Sequence, residues 1–220
     1  MFRVITIERE YGCGGGAIAA ELARHLNWSL WDKRLTDEIA AQAHVDPDAV
    51  LRCDERRDSR IYRLAKTFWR GSHEASSQLT GQTFDTDRMM AMMEQITNRI
   101  ADQGNAIIVG RGAPYFLRLH PEAFHVFLYA PRAEKIRRLL ADGLTESQAE
   151  ANVETVDRER RAFVKHYFNA DWPTRSLYHL MMNTAVGNAA VLDTILHTMR
   201  RVEGHPIATD YENSKISTPA

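Results

Sequence analysis

The sequence R-E-Y-G-C-G-G-G-A-I-A at residues 9–19 follows the short apolar run F-R-V-I-T-I at residues 2–7. The apolar run predicts a buried β-strand, and the spacing of apolar residues over 16–26 predicts a helix. A glycine-rich loop between a strand and a helix can turn successive backbone N–H groups inward, and the helix adds its free amides and the positive end of its dipole. Both features favour a bound phosphate group. The residues predicted to cradle that phosphate are Gly12, Cys13, Gly14, Gly15 and Gly16.

Strand-like and helix-like segments alternate along the rest of the chain. Strands are predicted at residues 28–32, 105–112, 125–130 and 179–184, and helices at about 35–43, 85–102, 132–140, 145–165 and 188–202. Strands that are apolar on both faces and separated by helices favour a parallel sheet covered on both sides. The predicted fold class is therefore α/β, with three layers.

Length and composition favour a single domain. A chain of 220 residues with 44% hydrophobic side chains can fill one large core but hardly two. We expect that domain to span residues 1–203. Within it, residues 44–85 are rich in charged and small polar side chains and are interpreted as an irregular insert or acceptor-binding region. Residues 204–220 are expected to form a flexible tail.

Charge and cysteine content exclude several classes of protein. A net charge of −1 gives no overall attraction to nucleic acid or to an anionic membrane. The two cysteines form no disulfide framework, and no apolar segment is long enough to span a bilayer. The nine histidines lack the spacing of a zinc motif. These features predict a cytoplasmic protein that is neither a metalloenzyme nor a hydrolase with a readable triad.

Short motifs along the chain resemble the cytidylate kinase-like branch of the P-loop nucleoside monophosphate kinases. The motifs are I-T-I-E-R-E-Y-G-C-G-G-G-A-I-A at 5–19, W-D-K-R-L at 31–35, I-I-V-G-R-G-A at 107–113, H-V-F-L-Y-A-P at 125–131, D-R-E-R-R at 157–161 and N-T at 183–184. Their order and spacing carry the resemblance over most of the chain. It implies a P-loop NTPase-type parallel sheet, ATP with Mg²⁺ as the phosphoryl donor, and a nucleoside monophosphate, CMP or dCMP, as the acceptor.

The loop departs from the pattern of these kinases. Laid without gaps on the loop of cytidylate kinases, Gly15 stands at the phosphate-binding lysine and Gly16 at the magnesium-binding hydroxyl, while Arg9 replaces the first glycine. The cytidylate kinase-like branch itself reads R-E-Y-G-S-G-G-R-E-I-A, so this chain lacks the substitute arginine as well. An alternative is therefore a weak or inactive module that binds a nucleotide or phosphate on a degenerate loop. Another is a kinase for a different acceptor.

Arginines outside the loop are the candidates for the missing positive charge. Arg111 follows a buried strand at the carboxyl edge of the sheet, where open α/β folds bind ligands, and the resemblance implies that it grips the acceptor phosphate. The resemblance places Asp32 and Arg34 at the acceptor nucleotide. It also implies that residues 145–170 form a lid-like helical region in which Arg158 and Arg161 close over the phosphates. Helical spacing puts these two arginines, three residues apart, on one face, so Arg160 is expected to point aside.

Two further predictions concern side chains in and beside the loop. Glu8 and Glu10 flank the entrance to the loop and could hold magnesium through water, because that metal prefers oxygen ligands and keeps much of its hydration. Cys13 lies at a helix N-terminus, where the dipole lowers the pKa of a thiol. We therefore expect Cys13 to react faster than Cys53, and a bound nucleotide to protect it.

Overall fold

The computed structural model describes residues 1–32, 34, 35, 37, 38 and 86–202. Its sheet has five strands in the order β2-β3-β1-β4-β5, and every neighbouring pair is parallel. The strands are β1 (Val4–Arg9), β2 (Ser29–Trp31), β3 (Ala106–Val109), β4 (Ala123–Tyr129) and β5 (Leu180–Asn183). β1 is buried along its whole length between β3 and β4. The loop that leaves β1 therefore emerges at the middle of the sheet's carboxyl edge.

The helices connect the strands and cover both faces of the sheet. They are α1 (Gly15–Leu26), α2 (Thr86–Gln103), α3 (Ala113–Phe116), α4 (Arg132–Ala141), α5 (Glu146–Phe168) and α6 (Asn188–Arg201). Two single 3-10 turns, Arg175–Leu177 and Thr184–Val186, flank β5. α5 begins with a capping box between Thr145 and Gln148, which satisfies amides that the first turn leaves unpaired.

The alternation of apolar residues along the strands divides the core into layers. Ile5 and Ile7 of β1 pack on one side with Ile18 of α1 and Ile195 of α6. On the other side, Val4 packs in a cluster that draws on α2, α3 and β3. A third cluster packs beside β4 and includes Phe163 and Val164 of α5. Helices thus lie on both faces, as a parallel sheet requires.

The predicted α/β fold with three layers is confirmed, with element boundaries shifted by a few residues. Residues 34, 35, 37 and 38 are helical, and the remainder of the helix predicted at 35–43 lies outside the described residues. So do the region 44–85 and the tail 204–220, and the division into one domain of residues 1–203 stays a prediction. Within the described ranges, no helix has both the length and the apolar character needed to cross a membrane.

Candidate active site at the carboxyl edge of the sheet

The glycine loop folds as a turn that needs glycine at particular positions. Gly12 and Gly14 have φ values of 74° and 79°, in the left-handed region that other residues enter only at a cost. Gly14 is also the N-cap of α1. Helix geometry leaves the first amides of α1 without intrahelical acceptors, and they face the same loop. The backbone of residues 12–16 therefore has the turn and the free helix amides that a phosphate cradle needs, and phosphate binding there stays a prediction.

Arg138 and Thr184 fasten the loop to the neighbouring elements. Arg138, on α4, donates to the carbonyl oxygen of Cys13 and, through Nη1 and Nη2, to Thr184 Oγ1 and Thr184 O, both at 2.9 Å. The hydroxyl of Thr184 donates to the same Cys13 carbonyl at 2.6 Å. A Cβ at Gly14 would lie 2.8 Å from Arg138 Nη1. The carbonyl that points away from the cradle is thus held by α4 and the end of β5, which fixes the loop.

A buried charge network ties the start of the loop to α4 and α5. Lys135 Nζ lies 2.5 Å from Glu10 Oε2 and 3.2 Å from Asp157 Oδ2. The other oxygen of Asp157 accepts a hydrogen bond from the backbone N–H of Tyr11 at 2.8 Å. The Asp157 carboxylate is therefore already hydrogen-bonded to the Tyr11 amide at the entrance to the loop. Lys135 is engaged by two carboxylates and does not extend into the cradle.

The turn after β3 holds a buried arginine in an unusual backbone conformation. Gly110, Arg111 and Gly112 have φ values of 65°, 60° and 70°. A Cβ at Gly110 would meet Arg9 Nη1 at 2.8 Å, and one at Gly112 would meet Phe168 at the same distance. The side chains of β1 and α5 therefore explain why both neighbours of Arg111 lack side chains.

Arg111 itself is buried, with 5% of its surface exposed. Burial lowers the pKa of its guanidinium to about 10, and Asp32 opposes that shift. Arg111 therefore stays charged at neutral pH. Burying a charge and holding a non-glycine residue in the left-handed conformation both cost free energy. Arg111 lies at the edge of the sheet that the sequence predicts for it.

The predicted acceptor residues Asp32 and Arg34 follow β2 at this edge. Asp32 Oδ2 lies 3.6 Å from Arg9 Nη2, while its Oδ1 is buried and has no hydrogen-bond partner among the described residues. Arg34 is exposed, and its guanidinium carbon lies 4.1 Å from the centroid of the Trp31 ring. Asp32 thus joins the group of charges around Arg9 and Arg111, whereas Arg34 stacks on the outside of β2.

Of the arginines on α5, the structure brings Arg160 to the loop. Its Nη1 donates to the carbonyl of Arg9 at 2.6 Å and to Asp157 Oδ1 at 3.3 Å. Burial lowers the pKa of Arg160. The expectation that Arg160 points aside is therefore wrong. Arg158 and Arg161 are exposed on α5, and their predicted contact with the phosphates stays a prediction.

The thiol of Cys13 is turned into the core and is fully buried. Desolvation by burial raises its pKa, and the backbone amide of Gly15 and the positive charge of Arg9 offset only part of that rise. The prediction of a reactive thiol with a lowered pKa is wrong, because burial outweighs the helix dipole. Cys53 lies outside the described residues. Cys13 contributes its backbone, rather than its sulfur, to the loop.

The two carboxylates predicted to hold magnesium have different surroundings. Glu8 is buried next to Arg160 and Arg9, and desolvation raises the pKa of its carboxyl. Glu10 pairs with Lys135, and Gly16 offers no hydroxyl. Across the described positions, no group of three or more His, Cys, Asp or Glu side chains comes together as a metal site. Glu10 thus already has a charged partner, and contact of Glu8 or Glu10 with magnesium through water stays a prediction.

An all-parallel sheet whose central strand leads through a glycine loop into a helix has the architecture of a P-loop kinase. The model of the cytidylate kinase-like family matches residues 4–186, and the chain belongs to that family. Membership supports a phosphotransferase. No curated protein matches the sequence.

Solved structures are similar to the chain at low sequence identity. An uncharacterized protein from Eubacterium ventriosum is 21% identical over 91% of this chain and 99% of its own, with a TM-score of 0.66. Shikimate kinase from Acinetobacter baumannii, in complex with shikimate, is 15% identical over 92% and 93%, with a TM-score of 0.49. Deoxyadenosine kinase from M. mycoides, with dCMP and dCDP, is 12% identical over 90% and 99%, with a TM-score of 0.47. The first of these likenesses supports the fold and no particular activity.

Proposed function

We propose that this protein transfers the γ-phosphoryl group of ATP to a nucleoside monophosphate, with CMP or dCMP as the favoured acceptor. The observation that carries the proposal is the buried, charged Arg111 in a left-handed turn beside the glycine loop. The loop supplies backbone donors for the phosphates of ATP. Arg111 supplies a planar fork for a second phosphate, which a guanidinium binds through two parallel hydrogen bonds.

The proposed reaction needs little covalent chemistry from the protein. Phosphoryl transfer depends mostly on positioning and on stabilising charge on the transferred group. The phosphate oxygen of the acceptor is already ionised near neutral pH, so no general base is required. Arg111 would orient that oxygen, Asp32 and Arg34 would contact the rest of the acceptor, and Arg158 and Arg161 would approach from α5. Magnesium would arrive on the phosphates of ATP.

A coupled phosphotransfer assay with ATP and magnesium tests the proposal across CMP, dCMP, UMP, AMP, GMP and dTMP. We expect turnover with a cytidine acceptor. Arg111→Ala should abolish turnover while the affinity for MgATP, measured by calorimetry, stays close to that of the parent, because the donor lies on the loop. Arg111→Lys should rescue poorly, since an ammonium cannot reproduce the planar fork.

The competing function is a binding module, favoured by the absence of both a lysine at Gly15 and a hydroxyl at Gly16. Binding of MgATP without turnover on any monophosphate would support it. Turnover on a different monophosphate would retain the phosphotransferase but replace its acceptor. An Arg111→Ala variant that lowers only the melting temperature would make the arginine structural.

A further inference from the structure

Two of the three departures of the loop from the P-loop pattern occupy one space. Gly15 stands at the lysine and Arg9 at the first glycine. A Cβ at Gly15 would lie 3.0 Å from Arg9 Cδ and 3.2 Å from Arg9 Cβ. The stem of Arg9 thus fills the region from which a lysine at position 15 would extend. The glycine and the arginine are sterically complementary.

The side chain of Arg9 runs from the loop toward the acceptor side of the sheet. It passes Gly15, its Nη1 lies 2.8 Å from where a Cβ of Gly110 would be, and its Nη2 lies 3.6 Å from Asp32 Oδ2. The side chain is 9% exposed. Its guanidinium therefore lies between the backbone cradle and the turn that carries Arg111.

The root of this side chain is held firmly. Arg9 is the last residue of β1, in register with Leu128 of β4, and its carbonyl accepts a hydrogen bond from Arg160. The pair with Asp32 is longer than the 2.7–2.9 Å typical of a charge-assisted hydrogen bond. A phosphoryl oxygen that came closer would be a stronger partner than this carboxylate.

We propose that Arg9 is a catalytic residue of this protein, whose guanidinium contacts the phosphoryl group in transit between the loop and Arg111 in place of a loop lysine. The inference rests on the proposed function, because it presupposes a donor on the loop and an acceptor at Arg111. In the transfer, an acceptor phosphate oxygen forms a bond to the γ-phosphorus. The bond from that phosphorus to the bridging oxygen breaks, and ADP leaves with the electron pair. Arg9 contributes charge and no proton.

A set of variants separates this role from a structural one. Arg9→Met removes the charge and keeps much of the stem. Gly15→Lys alone places a side chain against Arg9, so we expect it to be inactive. Arg9→Gly combined with Gly15→Lys restores the first glycine and the lysine of the usual loop pattern and clears the space that the lysine needs. Arg24→Met is the matched control, because Arg24 is an exposed arginine on α1 with 78% of its side chain accessible.

The measurements are kcat with ATP and the acceptor that the parent uses, and calorimetric affinities for MgADP, with and without aluminium fluoride as a mimic of the transferred group. Arg9→Met should lower kcat by about 10²–10³-fold, the effect typical of losing one preorganised donor. It should also weaken the aluminium fluoride complex, while MgADP affinity and melting temperature stay near those of the parent. A purely structural arginine would lower the melting temperature and leave the preference for aluminium fluoride intact. The double variant should be more active than Arg9→Gly alone or Gly15→Lys alone. Arg24→Met should match the parent.

The possible failures are distinguishable. A parent that transfers phosphate to no monophosphate refutes the proposed function, and this inference falls with it. A parent that turns over, beside a folded Arg9→Met with the same kcat, leaves the function standing and overturns the role of Arg9. If Arg9→Met does not melt cooperatively, the double variant decides. Recovered turnover supports the exchange of arginine for lysine, and a folded double variant that binds MgADP but is inactive refutes it.

Discussion

Replacing Arg111 by glycine and by alanine should reveal the backbone strain stored in the turn after β3. Both substitutions remove the guanidinium and all its contacts, so their difference reports the backbone alone. Arg111 has a φ of 60°, and a non-glycine residue pays roughly 1–2 kcal/mol to adopt the left-handed conformation. The unfolded chain gains more entropy with glycine than with alanine, which offsets about 0.5–1 kcal/mol. Arg111→Gly should therefore be more stable than Arg111→Ala by about 0.5–1 kcal/mol.

Thermal unfolding followed by circular dichroism is the appropriate assay. In a domain of this size, a change of 1 kcal/mol shifts the melting temperature by about 2–4 °C, so the expected difference is measurable. Arg24, in the last turn of α1, provides the matched pair with the opposite sign. There the glycine variant should be less stable than the alanine variant by up to about 0.5–1 kcal/mol, the value for a helix interior, because glycine is a poor helix former.

The reasoning would be refuted if Arg111→Gly melted at or below Arg111→Ala while the Arg24 pair behaved as expected. A confirmed reversal would show that the protein holds a strained backbone to present this arginine. Strain of this kind persists where the surrounding structure over-determines it, as Arg9 and Phe168 do around Gly110 and Gly112.

Three further predictions follow from buried polar groups. Thr184→Val should lower the free energy of unfolding by about 1–2 kcal/mol in a denaturant titration, because the Cys13 carbonyl and Arg138 each lose a buried hydrogen-bond partner; an unchanged midpoint would contradict the fastening of the loop. Burial lowers the pKa of His125 to about 3 and of the half-buried His179 to about 4, so the unfolded state binds more protons below pH about 6.5 and stability should fall from there toward pH 3. His125 should contribute up to about 1.4 kcal/mol per pH unit, and His179 less because solvent screens it. A melting temperature that is flat over this window, or that rises on acidification, would exclude neutral buried imidazoles. The fully buried Cys13 thiol should resist iodoacetamide in the folded protein and react after unfolding, and mass-spectrometric detection of Cys13 labelling under native conditions would place the sulfur at the surface.

The strands and helices could be predicted because their signal is local. Apolar runs and helical spacing located every described strand and most helix ends to within a few residues. The glycine turn between β1 and α1 was equally visible, since left-handed turns before a helix favour glycine. These features depend on neighbours in sequence, which the sequence itself displays.

The inward orientation of Arg160 on α5 was missed because the prediction rested only on the spacing between the arginines. The residues buried on this helix include Val153, Asp157 and Val164, at intervals of four and seven. At about 100° per residue, Arg160 falls near the centre of this buried face, whereas Arg161 falls at its edge and Arg158 on the opposite side. Reading the arginines against the apolar residues of the same helix would have selected Arg160. The error with Cys13 is different, because whether a side chain at a helix start enters the core depends on tertiary packing.

As the source of positive charge, Arg9 acts differently from the lysine that it replaces. A lysine at the start of the helix is a flexible point charge beside the donor phosphates, whereas Arg9 extends from the end of β1, where it pairs with β4, and reaches the residue that follows β2. Its planar fork therefore has a fixed direction, and that direction is toward the acceptor. A cation placed in this way can contribute little to holding ATP before the acceptor arrives. The same geometry that lets the loop dispense with its lysine thus favours weak binding of ATP alone, and it concentrates the electrostatic stabilisation at the moment of transfer, where it accelerates the reaction.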